Sequence, residues 1–73
     1  MARDIRVFVD QWDGCRGYTV GTVAVVDGCR TVIREVIFAG NGYWCGVQAR
    51  SFASRLQRKL RDCPDWLASY GWI

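Results

Sequence analysis

The chain has 73 residues, of which 51% are hydrophobic and 14% aromatic, and ten Lys or Arg against seven Asp or Glu give a net charge of +3. A chain this short buries only roughly 60% of the surface that its unfolded form exposes, so we predict one compact domain over residues 1–73. No run approaches the roughly 20 apolar residues of a membrane span, and the N-terminus has no apolar signal segment. We therefore expect a cytoplasmic protein with no membrane partner.

A first strand is predicted over residues 3–10. Two sets of residues alternate there: Ile5, Val7 and Val9 with Arg6, Phe8 and Asp10. A period of two is typical of a strand with one strongly apolar face. The loop that follows contains Trp12, whose ring we expect either to fold back onto the edge of the sheet or to stand exposed as an anchor for a partner.

Residues 18–39 predict an antiparallel hairpin. Two runs rich in Val, Ile and Thr, 18–26 and 31–39, flank the turn Asp27-Gly28-Cys29-Arg30. β-Branched residues suit a pleated surface, and an Asp-Gly pair tolerates the positive φ angles of a tight reversal. These two runs are the best-defined strands in the sequence.

Both faces of the hairpin are partly apolar. In its second strand Arg30, Val32 and Arg34 share the predicted face of Val36, and Ile37 lies on the opposite face. A sheet with one solvated face would show cleaner alternation, so we expect something beyond one helix to cover part of the second face. The candidates are the aromatic residues of the C-terminus and a second copy of the chain, and the latter predicts a homodimer.

One helix is predicted over residues 47–63. Its apolar residues recur at steps of three and four: Ala49, Phe52, Ala53, Leu56, Leu60 and Cys63. They form a stripe about 100° wide, the width of a face buried against a sheet. Pro64 ends the helix, and the aromatic tail is expected to hold one further turn capped by Asp65. The predicted fold is α+β: a three-stranded antiparallel sheet (β-β-β-α) of open strand order, one amphipathic helix across a face, and a short aromatic C-terminal segment.

The cysteines give no metal-binding pattern. Cys15, Cys29, Cys45 and Cys63 are spaced by 14, 16 and 18 residues, and the chain has no histidine. A zinc site normally brings close pairs of thiolates, so we predict no metal site and no cofactor. The even count is compatible with disulfides, whereas a chain without a secretion signal lies among reducing thiols. We expect four partly buried thiols, whose redox state the sequence does not decide.

The cations of the predicted helix are the strongest candidate for a functional surface. On the circumference left free by the apolar stripe lie Arg50, Arg55, Arg58, Lys59 and Arg61, with Asp62 as the one acidic residue. Such a face either keeps a solvated helix soluble or meets the phosphates of nucleic acid or an acidic protein. Exposed rings among the cations would favour single-strand binding, and Tyr18, Tyr43 and Trp44 are the candidates.

Enzyme chemistry has little support. Histidine is absent, and no Ser or Cys lies in a recognisable nucleophile turn. A strand ending in Val9-Asp10, two further antiparallel strands and a helix are similar to the opening half of the ribonuclease H-like fold, whose first-strand aspartate is a metal ligand. Asp10 alone matches, since Arg50, Ser51 and Arg55 stand where that family has a helix glutamate. We predict a protein without catalytic activity.

Small domains of the same β-β-β-α topology also occur among antitoxins of the HicB type. Size, charge and the missing catalytic groups predict a small non-catalytic inhibitor that resembles the anti-CRISPR proteins of phages and mobile elements. It would block a host nucleic-acid-handling defence complex by surface contacts, with the helix cations and Trp12 or Trp44 as its partner-binding residues. The alternative is direct binding of RNA or DNA, or a HicB-like antitoxin role, through the same helix face.

Overall fold

The computed structural model describes residues 4–12, 17–40 and 43–73. Its elements in chain order are β1 (Asp4–Gln11), β2 (Gly17–Val26), β3 (Cys29–Ala39), α1 (Tyr43–Asp62) and α2 (Pro64–Ser69). The three strands form an antiparallel sheet of order β1-β2-β3, so neighbours in the chain are neighbours in the sheet. The predicted β-β-β-α fold with an aromatic C-terminal segment is confirmed, and the strand order is now defined.

The turn that connects β2 and β3 consists of two residues, Asp27 and Gly28. Their φ angles are 53° and 79°, both in the left-handed region. Two consecutive residues of positive φ match the twist of the flanking strands, which is why Asp-Gly suits this turn. Cys29 already pairs with Val26, so the strand begins two residues before the predicted position.

A β-bulge in β3 corrects the predicted faces of that strand. Thr22 pairs with Arg34 but Val23 pairs with Val32, so Ile33 is an extra residue in β3. Because side chains alternate with a period of two, one inserted residue moves everything beyond it to the other face. Arg34 lies on the side of α1, where its guanidinium carbon is 4.8 Å from the centre of the Trp72 ring. The prediction was wrong for Arg30 and Val32, which lie on the opposite face of the sheet.

The core lies between the sheet and α1. Val20, Ala49, Leu56, Leu67 and Trp72 are buried together, and Phe52, Ala53 and Leu60 pack against them. The predicted apolar stripe of the helix is confirmed for these residues of α1. It is wrong for Cys63, which follows the last residue of α1 and is exposed.

Helix α1 begins at Tyr43, four residues before the predicted start. The predicted start at residue 47 left Gly46 outside the helix, whereas this residue is buried inside the first turns of α1. A Cβ at Gly46 would lie 3.0 Å from the Tyr18 hydroxyl oxygen, which is closer than ordinary van der Waals contact. Glycine is therefore used here for the close approach of α1 to β2 rather than to break the helix.

The C-terminal segment closes the core on the side of α1. The Thr22 hydroxyl donates a hydrogen bond to the backbone carbonyl of Trp72, and a guanidinium nitrogen of Arg34 donates to the carbonyl of Tyr70. These aromatic residues were candidates to cover the second face of the sheet, and they do not lie there. Val32 and Ile37, which lie on that face, are 52% and 57% exposed.

Helix α2 starts differently from the prediction. Its N-cap is Cys63, which makes no capping hydrogen bond through its side chain, and Pro64 occupies the first helical turn. Proline fits there because its missing N–H would have no partner in the helix. Asp65 is therefore not the cap but the acidic residue of the first turn, where it interacts favourably with the helix dipole.

The thiols are less uniformly buried than predicted. Cys45 is buried, and its Sγ donates to the carbonyl oxygen of Phe38 at 3.0 Å. Cys29 and Cys63 are exposed, and the thiols of all three residues are free. Cys15 lies outside the described residues. In the described part of the chain, no helix is both long and apolar enough to cross a membrane.

Candidate functional site

The five predicted cations all lie on the exposed side of α1. Their side chains point away from the core because Phe52, Leu56 and Leu60 point into it. At 3.6 residues per turn, the cations cover about half of the helix circumference. The surface they form is therefore broad, with its cations on both flanks of the helix rather than in one line.

Arg61 is the cation whose charge is most compensated. Its Nε donates to the Asp62 carboxylate at 3.0 Å, and this hydrogen bond, together with the attraction between the two charges, raises the pKa of Arg61. Among the described residues, no other cation of α1 has a carboxylate within 4.0 Å. Arg50, Arg55, Arg58 and Lys59 therefore carry the charge that an anionic partner would meet.

Two aromatic residues stand at the N-terminal end of α1. Tyr43 and Trp44 are 73% and 70% exposed, and their rings meet edge to face with centroids 5.6 Å apart. Few large rings in a folded domain remain so open, since each ring otherwise buries a large apolar area. Trp44 therefore lies exposed on the same helix as the cations. Tyr18 is only half-buried but faces α1, so it is not part of this exposed group.

Trp12, the other predicted anchor, lies elsewhere. Its ring folds back against Gly17, and its Nε1 donates to the Thr19 hydroxyl at 2.8 Å. Thr19 belongs to the sheet face opposite α1, because it alternates with the core residue Val20. Of the two alternatives for Trp12, the structure has the ring packed on the sheet. The partner-binding residues predicted from the sequence are therefore split, with Trp44 and the cations on one side of the molecule and Trp12 on the other.

Two grooves run along the flanks of α1. The β1 groove, of about 500 Å³, lies between Val7 and Val9 of β1 and Gln57, Arg58 and Arg61 of α1. The α2 groove consists of two adjoining clefts of about 570 and 270 Å³, which share Phe52 and Arg55. The first cleft contains Trp44, Gln48 and Ser51, and the second contains Lys59, Trp66 and Trp72.

Lys59, the cation at the far end of the α2 groove, lies against an aromatic ring. Lys59 Nζ lies 5.1 Å from the centre of the Trp66 ring, and Trp66 in turn packs against Tyr70 with centroids 4.6 Å apart. Trp66 and Tyr70 are four residues apart, the spacing of neighbours on one side of a helical turn. The sequence contains no signal for the Lys59–Trp66 contact, because Pro64 interrupts the helical spacing between them.

Asp10, the residue that matched the ribonuclease H-like pattern, does not face α1. It pairs with Thr19 in the sheet register and shares the face of that residue. Residues of α1 are therefore on the wrong side of the sheet to join it. Within the described residues no group of three His, Cys, Asp or Glu is arranged to hold a metal ion.

Comparison with protein-family models, with curated proteins and with solved structures finds no match for this chain.

Proposed function

We propose that this chain is a non-catalytic binding protein that binds nucleic acid through the outward face of α1. The observation that carries the proposal is the exposure of Trp44, 70%, on the same helix as Arg50, Arg55, Arg58 and Lys59. Cations alone do not separate nucleic acid from an acidic protein, whereas an open ring beside them offers a stacking surface for a base.

The two kinds of residue have different tasks in this proposal. The guanidinium groups contact phosphates, and arginine suits this because its planar donors match phosphate oxygens in pairs. Trp44 and Tyr43 supply flat apolar surface, which every base can use. Binding of this type is tolerant of sequence, and it needs neither a cofactor nor a catalytic group. We place it in the cytoplasm, where the free thiols of Cys29, Cys45 and Cys63 are normal.

A salt titration tests the proposal. Fluorescence anisotropy with labelled RNA and DNA oligonucleotides should show binding at about 50 mM salt that weakens log-linearly as salt rises. With the four uncompensated cations of α1 in contact, the slope should be about −2 to −3 for a single strand. Failure to bind any oligonucleotide at about 50 mM salt would reject direct nucleic-acid binding.

A second candidate is the inhibitor predicted from the sequence, phage- or mobile-element-encoded, whose partner is a host nucleic-acid-handling defence complex. The Tyr43–Trp44 pair favours it, because Trp, Tyr and Arg are the residues enriched at the energetic centres of protein interfaces. Charge reversal of Arg55 and Arg58 together should then abolish capture of the complex from host extract while the thermal midpoint stays nearly unchanged. Retained capture by that double variant would count against this candidate.

The HicB-like antitoxin role would use the same helix face and shares the salt titration as its first test. A homodimer would use the other side of the molecule, where Val32 and Ile37 are exposed on the open face of the sheet. Sedimentation of a monomer at tens of micromolar would remove the homodimer from consideration.

A further inference from the structure

We infer that the α2 groove binds a single-stranded nucleic acid, with Trp44 as the stacking ring and Arg55 and Lys59 as the phosphate contacts. The inference rests on the proposed function and narrows it from a whole helix face to one flank of α1. It also names the strand state of the partner, which the charge of the helix does not specify.

The groove has the composition that a flexible polyanion requires. Its floor is apolar, formed by Phe38, Val47 and Phe52, and its exposed rim carries Arg55 and Lys59. None of the described residues that line it is acidic. Gln48 and Ser51 add neutral hydrogen-bonding groups next to Trp44. A strand in this groove therefore meets positive charge and apolar surface, and no carboxylate of the described residues opposes it.

The length of the groove suits a short strand. Trp44 and Lys59 are fifteen residues apart in one helix, which separates them by about 22 Å at 1.5 Å per residue. At the 3.4 Å per nucleotide of a stacked strand, this length holds roughly six nucleotides. Grooves that bind single strands have site sizes of roughly 4 to 16 nucleotides.

Trp44 explains why a single strand is favoured over a duplex. Its ring is open, whereas Trp66 at the other end of the groove is already engaged by Lys59 and Tyr70. The bases of a duplex are paired and stacked on each other, so they do not offer a face to a protein ring. Unpaired bases do, and stacking on an aromatic side chain is their usual mode of recognition.

The two grooves supply matched control variants. Arg55→Glu and Arg58→Glu change the net charge of +3 by the same amount and alter exposed residues three positions apart in one helix, but only Arg55 lines the α2 groove. Trp44→Ala and Tyr43→Ala each remove one exposed ring of a contacting pair, and only Trp44 lines the groove. Circular dichroism and the thermal midpoint of each variant establish that it is folded.

The experiment measures the fluorescence anisotropy of a labelled single strand of about 12 nucleotides, and of the matching duplex, at about 50 mM salt. Each oligonucleotide is titrated with the unaltered chain and with each of the four variants. We expect the single strand to bind more tightly than the duplex and Arg55→Glu to weaken binding at least tenfold more than Arg58→Glu. Trp44→Ala should weaken it by roughly 5- to 150-fold, the effect of losing one base stack, with an unchanged salt slope. Tyr43→Ala should have a smaller effect.

Other results separate failure of this inference from failure of the proposed function. Equal losses of affinity in Arg55→Glu and Arg58→Glu, or a duplex bound as tightly as the single strand, would overturn the assignment of the binding site to the α2 groove. Either result would leave binding by the helix face intact. Displacement of the strand by poly-glutamate at equal charge concentration would overturn it too, since an acidic polypeptide would then be the better occupant. Absence of binding by the unaltered chain to either oligonucleotide would overturn both.

Discussion

The two flanks of α1 carry similar charge but are built in different ways. The β1 groove is bordered by Val7 and Val9 of an edge strand and contains no aromatic residue among its described lining. The α2 groove is bordered by Phe38, Phe52 and Trp72, and its wall is tied to the sheet by the hydrogen bond from Thr22 to the backbone of Trp72.

The difference shows that charge alone does not define a site on this helix. Arg58 and Arg61 on one flank and Arg55 and Lys59 on the other are all exposed. Arg58 and Arg61 project beside small and aliphatic residues, whereas Arg55 and Lys59 project beside aromatic rings. Since a flat ring adds binding energy that salt does not screen, the second flank is where affinity and selectivity can exceed those of a general polycation. If the packing of α2 makes the flanks different, changes to that packing should alter binding in the α2 groove, and changes on the β1 side should not.

Leu67→Ala should have the largest effect. Leu67 is fully buried and is the residue of α2 that enters the core. Its truncation leaves a cavity and should lower the free energy of unfolding by about 2 to 5 kcal/mol, measured by urea denaturation. Because α2 would lose its main contact, single-strand binding should fall as well.

The control for Leu67→Ala is Val7→Ala on the opposite flank. Val7 is only partly buried, and the loss of its two methyl groups should cost about 1 to 2 kcal/mol. It should leave binding in the α2 groove unchanged. If Val7→Ala were the more destabilising of the two, the α2 side would not be the better-packed flank.

The sequence predicted what local periodicity encodes. Alternation defined the three strands, and the three- and four-residue steps defined the buried stripe of α1, because both patterns arise from neighbours along one element. It failed where a position depends on a distant partner. The extra residue Ile33 changes the face of Arg30 and Val32 only through pairing with β2, and the reason for a glycine at position 46 is the close approach of Tyr18 from β2 rather than the end of a helix.

The features of the candidate site also divide into those that the sequence predicted and those that it did not. The exposure of the helix cations followed directly from the apolar stripe opposite them. The α2 groove did not, since it depends on where Trp66 and Trp72 settle after Pro64 has broken the helical spacing. Trp12 could not be assigned from sequence because its place depends on Thr19, seven residues away and on another strand.

Thr22→Val should have an intermediate effect and act on the α2 flank alone. Thr22 is fully buried, and its hydroxyl is the donor to the Trp72 carbonyl. Valine has nearly the same shape but leaves that buried carbonyl without this donor, which should cost about 1 to 3 kcal/mol. The thermal midpoint should fall by about 4 to 8 °C for each kcal/mol in a domain of this size.

Thr31→Val is the matched control for Thr22→Val, because Thr31 is exposed on β3 and pairs with Ala24 in the same sheet. Its midpoint should stay close to that of the unaltered chain or rise slightly. Equal midpoints for the two valine variants would mean that the hydrogen bond to Trp72 does not hold the C-terminal segment.

Lys59→Met should have the smallest effect and test the contact that closes the far end of the α2 groove. Methionine keeps an unbranched apolar side chain but removes the cation above Trp66. At an exposed site this should cost about 0.5 to 1 kcal/mol, measured by urea denaturation with tryptophan fluorescence as the probe. Arg58→Met removes a cation from the other flank, where none of the described lining residues is aromatic, so it should change the urea midpoint less. A loss in Arg58→Met as large as that in Lys59→Met would show that the contact with Trp66 adds no stability beyond that of an exposed cation on the other flank.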